Sequence, residues 1–178
     1  SVLDSFETRK AAILHKAFTG VLIGKDTPEA TCLESIVETI RIGPFGSALH
    51  KEDYILDGVP VVNPKHIVGQ QIIPEGKVAI SFEKAEELSA YRLRKNDIVL
   101  GRRGEMGRSA PVTEEQAGWI CGTGSLIIRL KPGYDAAFYS QIIASQPVVQ
   151  YLEENSVGST LKNLNERIVR KLPIPNFS

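Results

Sequence analysis

The sequence predicts an α+β domain: a mixed, strongly twisted sheet of short strands with flanking helices, plus an N-terminal helix. Three observations predict it. Apolar runs such as Val59–Val62, Ile98–Leu100 and Leu126–Leu130 are short and rich in β-branched residues. Turns bearing glycine, proline or serine separate them. Helical periodicity comes in scattered stretches, not in regular alternation with the strands, which argues against a doubly wound sheet.

The chain has 178 residues, enough for one domain with a real core. No apolar run reaches the ~18 residues a membrane span needs, and the start lacks the pattern of a signal peptide. The first residue is Ser1 and the only methionine is Met106, which suggests a fragment or a processed chain. The two cysteines, Cys32 and Cys121, have neither metal nor redox spacing, so reduced thiols in a cytoplasmic protein are expected. Net charge is zero, against a purely electrostatic nucleic-acid binder. Basic residues nonetheless cluster: Arg92, Arg94, Lys95, Arg102, Arg103 and Arg108 face only Asp97 and Glu105 in their stretch, and Lys162, Arg167, Arg170 and Lys171 face only Glu166.

Residues 2–22 read as a helix, with Leu3, Phe6, Ile13, Leu14, Ala17, Phe18 and Val21 on one apolar face. A helix this short needs a packing partner. Residues 24–29 read as a linker. Leu33–Ile42 fits either a helix or a strand. Gly43-Pro44-Phe45-Gly46-Ser47 is a loop of fixed shape, with Phe45 expected as its anchor and backbone N–H groups available to an anion. Val59–Val62 is a strand, followed by Asn63-Pro64-Lys65-His66-Ile67. Ile72–Ile73 and Val78–Ile80 are further strands, and Ser81 is the expected N-cap of a helix over 82–88.

Ile98–Leu100 opens the most informative stretch, which continues Arg102-Arg103-Gly104-Glu105-Met106-Gly107-Arg108. Two glycines three apart predict a tight loop with positive φ, and a strand ending in such a loop presents arginines to something anionic. Ser109–Thr113 returns as a strand, at an edge because of Pro111. Trp119–Cys121 and Leu126–Leu130 are strands around Gly122-Thr123-Gly124-Ser125, a loop small enough for close backbone approach. Helices are expected over 136–144 and from Pro147 to Leu152. Gly158-Ser159-Thr160 is a polar turn. Asn163 and Glu166 are spaced as a capping box for a helix to Arg170, and Leu172–Ile174 adds an edge strand.

Against an anionic partner, the candidate contacts are Arg102, Arg103, Arg108, Lys65, His66, Thr123, Ser125, Ser159, Thr160, Lys162 and Asn163. If that partner is a nucleic acid, the arginines are candidates for reading bases and Lys162 for meeting phosphates. Phe6, Ile13 and Phe18 are candidates for packing against another element. His15, His50 and His66 have no ligand partners at metal spacing, so no metal or cofactor is expected. No nucleophile elbow, phosphate loop or dinucleotide fingerprint is present. One catalytic alternative stays open. Asp57 with Glu75-Gly76-Lys77 loosely mimics the acid and Glu-x-Lys arrangement of metal-dependent nucleases.

Four stretches carry a resemblance to a known family. Residues 11–20 look like the end of a spacer helix. Gly43-Pro44-Phe45-Gly46-Ser47 matches a loop at the start of a domain, and Asn96-Asp97-Ile98-Val99-Leu100 through Gly104 and Gly107 its central signature. Gly158-Ser159-Thr160 with Leu172-Pro173-Ile174-Pro175 matches its closing segment. In this order they resemble a target recognition domain of the specificity (S) subunit of a type I restriction–modification system. Asn96 departs from that signature, standing where glycine is frequent. A full S subunit has two such domains and two long helices, and only one domain and part of one helix are matched here. The resemblance implies residues 1–24 as the end of the spacer helix and 25–178 as the recognition domain. It implies a non-catalytic reader of one half of a bipartite target in double-stranded DNA. Its partners would be modification (methyltransferase) subunits and, through the complex, restriction subunits, with no membrane involved. A nuclease domain and a protein–protein interaction module remain the alternatives.

Overall fold

The structure, a computed structural model, describes residues 30–76, 78–158 and 163–175, together with a few helical positions near the N-terminus, among them Phe6 and Ile13. Two four-stranded sheets and a set of short helices form an α+β fold. The strands are β1 (Ala30–Cys32), β2 (Val37–Ile42), β3 (Tyr54–Ile55), β4 (Val59–Val62), β5 (Ile67–Val68), β6 (Gln71–Ile72), β7 (Ala79–Ile80), β8 (Asp97–Gly101), β9 (Ser109–Pro111), β10 (Ile120–Cys121), β11 (Ser125–Leu130) and β12 (Pro173–Pro175). The helices are α1 (Phe82–Glu87), α2 (Ala136–Ile143), α3 (Gln146–Asn155) and α4 (Glu166–Arg170).

The central sheet runs β2-β11-β8-β9, antiparallel throughout. β9 lies at its edge, where Pro111 costs no ladder hydrogen bond. The second sheet runs β10-β4-β7-β3 and is mixed, since β10 and β4 are parallel. The short strands and flanking helices expected of an α+β domain are present, with the strands grouped in four sheets. β1 pairs with β12, and β5 with β6.

The apolar runs of β8 and β11 are continuous because both faces of the central sheet are covered. Side chains alternate along a strand, so Ile98, Leu100, Leu126 and Ile128 join Ile142, Val148 and Val169 of the helical layer in the largest core. Val99, Ala110 and Ile127 point the other way, against Val62 and Cys121 of the second sheet. That sheet packs its far side on Ala85 and Leu88 through Val59, Val61 and Ile80. Both cysteines are free, and burial pushes the Cys121 thiol pKa up, so it behaves as a small core residue.

Local signals fix the helix starts. Ser81 accepts the Lys84 N–H at 3.1 Å, and Asp135 accepts that of Phe138 at 2.7 Å. Ser145 holds the N-cap position of α3, with its Oγ donating to Ile142 O at 2.6 Å and not to the helix, and Pro147 is in the first turn. The open choice at Leu33–Ile42 resolves into a single 3-10 turn, Leu33–Ser35, followed by strand β2. The capping residue of α4 is Asn165, not Asn163: its side chain accepts the Ile168 N–H at 2.9 Å, which puts Glu166 at the first helical position. The expected helix over 2–22 and linker over 24–29 fall largely outside the described residues, as does Phe18, whereas Phe6 and Ile13 are helical and exposed.

Candidate nucleic-acid interface

The Gly101 end of β8 gathers the loops singled out in the sequence. The Gly43 N–H donates to Ser125 O at 2.9 Å, joining the 43–47 loop to the start of β11. A Cβ on Gly43 would lie 2.0 Å from Gly122 O, so only glycine fits there. The 63–67 loop enters the same cluster through Pro64, which packs under Gly124 and Gly101. Arg102 N–H donates to Gly124 O at 2.8 Å, and Arg102 O accepts Leu164 N–H at 3.0 Å. Val157 and Asn163 exchange two backbone hydrogen bonds and bring the last loop to the same place, where Asn163 bridges to Arg103. Ser159, Thr160 and Lys162 lie outside the described residues.

Three adjacent arginines meet three different fates on this end. Arg102 was expected to stand end-on at the tip, but it is only 9% exposed and its Nε donates to Leu164 O at 2.9 Å. Burial, and then the charge of Arg103, pull its guanidinium below the ordinary arginine pKa. Arg102 is a strut between β8 and the segment leading to α4. Arg108 is half-buried and latched: one arm donates to Pro64 O at 3.3 Å, the other to Glu105 Oε2 at 2.6 Å. Arg103 alone projects into solvent, and among the described residues its side chain has no hydrogen bond or ion pair. Gly104 and Gly107 take φ of 81° and 78°, the conformation expected of them.

His66 is another correction. It is buried, and its Nδ1 accepts the Asn63 N–H at 3.0 Å, so it staples its own loop, while its Nε2 is buried without a hydrogen-bond partner among the described residues. Burial, then the charge of Lys65, lowers its pKa. Nε2 stands 3.5 Å from Glu75 Oε2, and Lys65 pairs with the same carboxylate while remaining exposed. Ser125 is fully buried, with an Oγ that has no partner among the described residues. Thr123 is half-exposed beside it. Asn163 is also half-exposed, but its Oδ1 is buried and unpartnered among the described residues. Phe45 was read as a loop anchor, yet it is 68% exposed at the rim of the cluster.

Among the described residues, Asp57 and Glu75 form no metal-binding cluster. Glu75 is occupied by Lys65, Lys77 lies outside the described residues, and among the described residues no three His, Cys, Asp or Glu side chains cluster to hold a metal. No described helix is long and apolar enough to cross a membrane.

Against known families, residues 37–176 match the model of the type I restriction modification DNA specificity domain. The chain belongs to this family. Among solved structures, the HsdS subunit from Thermoanaerobacter tengcongensis is similar at 14% identity, with a TM-score of 0.61 over 97% of this chain and 40% of that one. A structure described for complex assembly and conformational transition of the type I R-M system gives 13% identity and a TM-score of 0.60, over 97% and 42%. The S subunit from M. genitalium gives 17% and 0.50, over 86% and 36%. At such identities these likenesses speak for the fold alone, and the chain spans about two fifths of the length of those proteins. Compared by sequence with curated proteins, the chain finds no match. In this specificity domain, β8 and the arginine loop after it are the stretch that resembled the family's central signature, and Asn96 adopts φ of 67°, a left-handed conformation in which asparagine stands in for glycine.

Proposed function

We propose that this specificity domain reads one half of a bipartite target in double-stranded DNA, with the Gly101 end of β8 facing the duplex. The carrying observation is the convergence of the loops at 43–47, 63–67, 102–108 and 122–125 with the Val157 and Asn163 pair, and with Arg103 exposed and unpaired among the described residues. A guanidinium free of internal partners can form the bidentate bond to guanine O6 and N7, worth roughly 1–3 kcal/mol of discrimination. Thr123, Lys65 and Phe45 are secondary contacts at the rim. Ser159 and Thr160 would be further DNA contacts, and Lys162 would meet phosphates. Arg102, Arg108, His66 and Ser125 hold the loops in shape, and Asn163 closes the last of them.

Residues 1–24 would be the end of a spacer helix, with Phe6, Ile13 and Phe18 against a modification subunit or another helix of the S subunit. Restriction subunits would join through the complex. The domain itself would carry no catalytic step.

Mobility shift on random-sequence duplex pools, followed by binding-site selection, tests this reading. The wild-type chain should return a motif, and Arg103→Ala should relax it at particular base pairs. An unchanged motif would move readout to another loop. Incubation with Mg²⁺, ATP and S-adenosylmethionine should leave DNA uncut and unmethylated. Cleavage abolished by Glu75→Ala would restore the nuclease alternative.

A further inference from the structure

A second cationic site lies on the flank of the central sheet, away from the loops. The face of β2 and β11 that carries Ile127 towards the second sheet also carries, along its margin, Thr39, Arg41 and Arg129, where Arg41 is opposite Ile127 and Thr39 opposite Arg129. Residues 89–94 wall the other side with Ser89, Arg92 and Arg94, enclosing a cavity of about 160 Å³. That is below the ~300–1,000 Å³ typical of sites for drug-sized molecules, so the cavity suits a small charged group.

The four arginines are of two kinds. Arg129 is fixed by both oxygens of Asp97, at 2.8 and 2.7 Å. Arg92 is fixed by Gly118 O at 3.1 Å and by Glu86. Arg41 and Arg94 are exposed, and their side chains have no partner among the described residues. Glu38 is close enough to favour the charged form of Arg129, yet the group of arginines keeps a positive excess. Two anchored guanidiniums beside two unpaired ones, with the Thr39 and Ser89 hydroxyls at the rim, make a site for an oxyanion.

We propose that this flank groove binds a backbone phosphodiester of the duplex whose bases meet the loop end. The proposal rests on the DNA-reading role given above. Arg41 is two residues from Gly43, so at ~3.4 Å per strand residue the groove opens about 7 Å below the loops. Duplex DNA carries a charge every ~1.7 Å of its axis, so a duplex seated on the loops would have phosphates within reach of the groove. The same chemistry would accept free phosphate, and the test separates the two sources.

The experiment compares the wild-type chain with Arg41→Gln/Arg94→Gln, using fluorescence anisotropy on a random-sequence duplex over a salt series. Arg41→Lys/Arg94→Lys serves as the charge-retaining control, and circular dichroism checks the fold of each. The expected result is a salt slope smaller in magnitude by about 0.9 per lost contact in the glutamine variant, with the slope kept in the lysine variant. A glutamine variant with the wild-type slope, alongside an Arg103→Ala variant whose selected motif is relaxed, would overturn the groove and leave the loop-end reading standing. A wild-type chain that binds no duplex would overturn both. Titration of inorganic phosphate, followed through arginine side-chain NMR signals, covers the other source. If phosphate saturates the groove and duplex does not displace it, the ligand is a free anion and the backbone assignment falls.

Discussion

At the Asp97 end of β8 the buried polar groups are matched, whereas at the Gly101 end, two turns of the pleat away, they are left open. Asp97 is 1% exposed and holds Arg129 with both oxygens, and its Oδ2 also accepts the Arg94 N–H at 2.8 Å. Beside it, Asn96 donates to Tyr134 O and accepts the Ala136 N–H, each at 2.8 Å, tying β8 to the start of α2. At the other end, Ser125 Oγ and Asn163 Oδ1 are buried without partners among the described residues, while Arg103 and Phe45 stand in solvent. Unmatched buried polar atoms cost stability. One strand therefore joins an end built to hold the fold to an end that keeps its bonding capacity for something else.

The sharpest way to break this comparison is to unpair the Asp97 end. Asp97→Ala leaves Arg129 without its carboxylate in a largely buried place and should destabilise the domain by about 3–5 kcal/mol. Urea denaturation reads it. Replacing both partners, as in Asp97→Ala/Arg129→Met, should recover much of the loss, because the cost lies in the orphaned charge more than in the missing bond. If the double variant is as unstable as the single one, the pair matters for shape and not for charge.

Neighbouring arginines give a smaller contrast within the loop end itself. Arg102→Ala removes a charge-assisted bond to Leu164 O and should cost about 1.5–3 kcal/mol. Arg103→Ala should stay within ~0.5 kcal/mol of wild type, as exposed sites usually do. Equal losses from the two would mean that Arg103 also serves the fold. Gly43→Ala sharpens the point without touching charge. Its Cβ would meet Gly122 O at 2.0 Å, and overpacking of this kind should cost about 1–3 kcal/mol by the same urea measurement.

These cases also show what could be read from sequence. Signals carried by neighbouring residues were legible. Ser81 and Pro147 mark helix starts, Pro111 an edge strand, and Gly104 and Gly107 the positive-φ loop, since each acts through its own backbone. Burial decided over long sequence separations was not legible. Arg102 and Arg103 are alike as a sequence, and Leu164, sixty-two residues on, determines which one is covered. Likewise nothing near His66 reveals that the 63–73 loop folds over it. Asn163 was read as the cap of the last helix, but it pairs with Val157, and Asn165 takes the role. The flank groove is assembled from β2, β11 and residues 89–94, so its arginines were visible only as a diffuse basic excess.

The smallest expected effect is a local one, at His66. Its folded pKa is lowered from 6.5, first by burial and then by Lys65, while Glu75 opposes the shift. Between the folded pKa and 6.5 the unfolded loop binds more protons than the folded one, so stability rises with pH in that window. The contribution is complete above 6.5 and is lost as pH falls through the window, because a proton on Nδ1 displaces the Asn63 N–H. The pKa of Glu75 is lowered from 4.5, chiefly by the Lys65 hydrogen bond, so its contribution disappears only in more acidic solution. Hydrogen exchange at the Asn63 and Ile73 amides, the latter bonded to His66 O at 2.7 Å, should therefore show protection falling as pH drops below the ordinary histidine value of 6.5, after correction for intrinsic exchange rates. His66→Gln keeps an acceptor at the third helical position, as capping boxes do, without a titrating ring. It should flatten that pH dependence while the amides at Asp97 stay protected throughout. A pH dependence that survives in His66→Gln would assign the titration to another group and leave the histidine a packing role only.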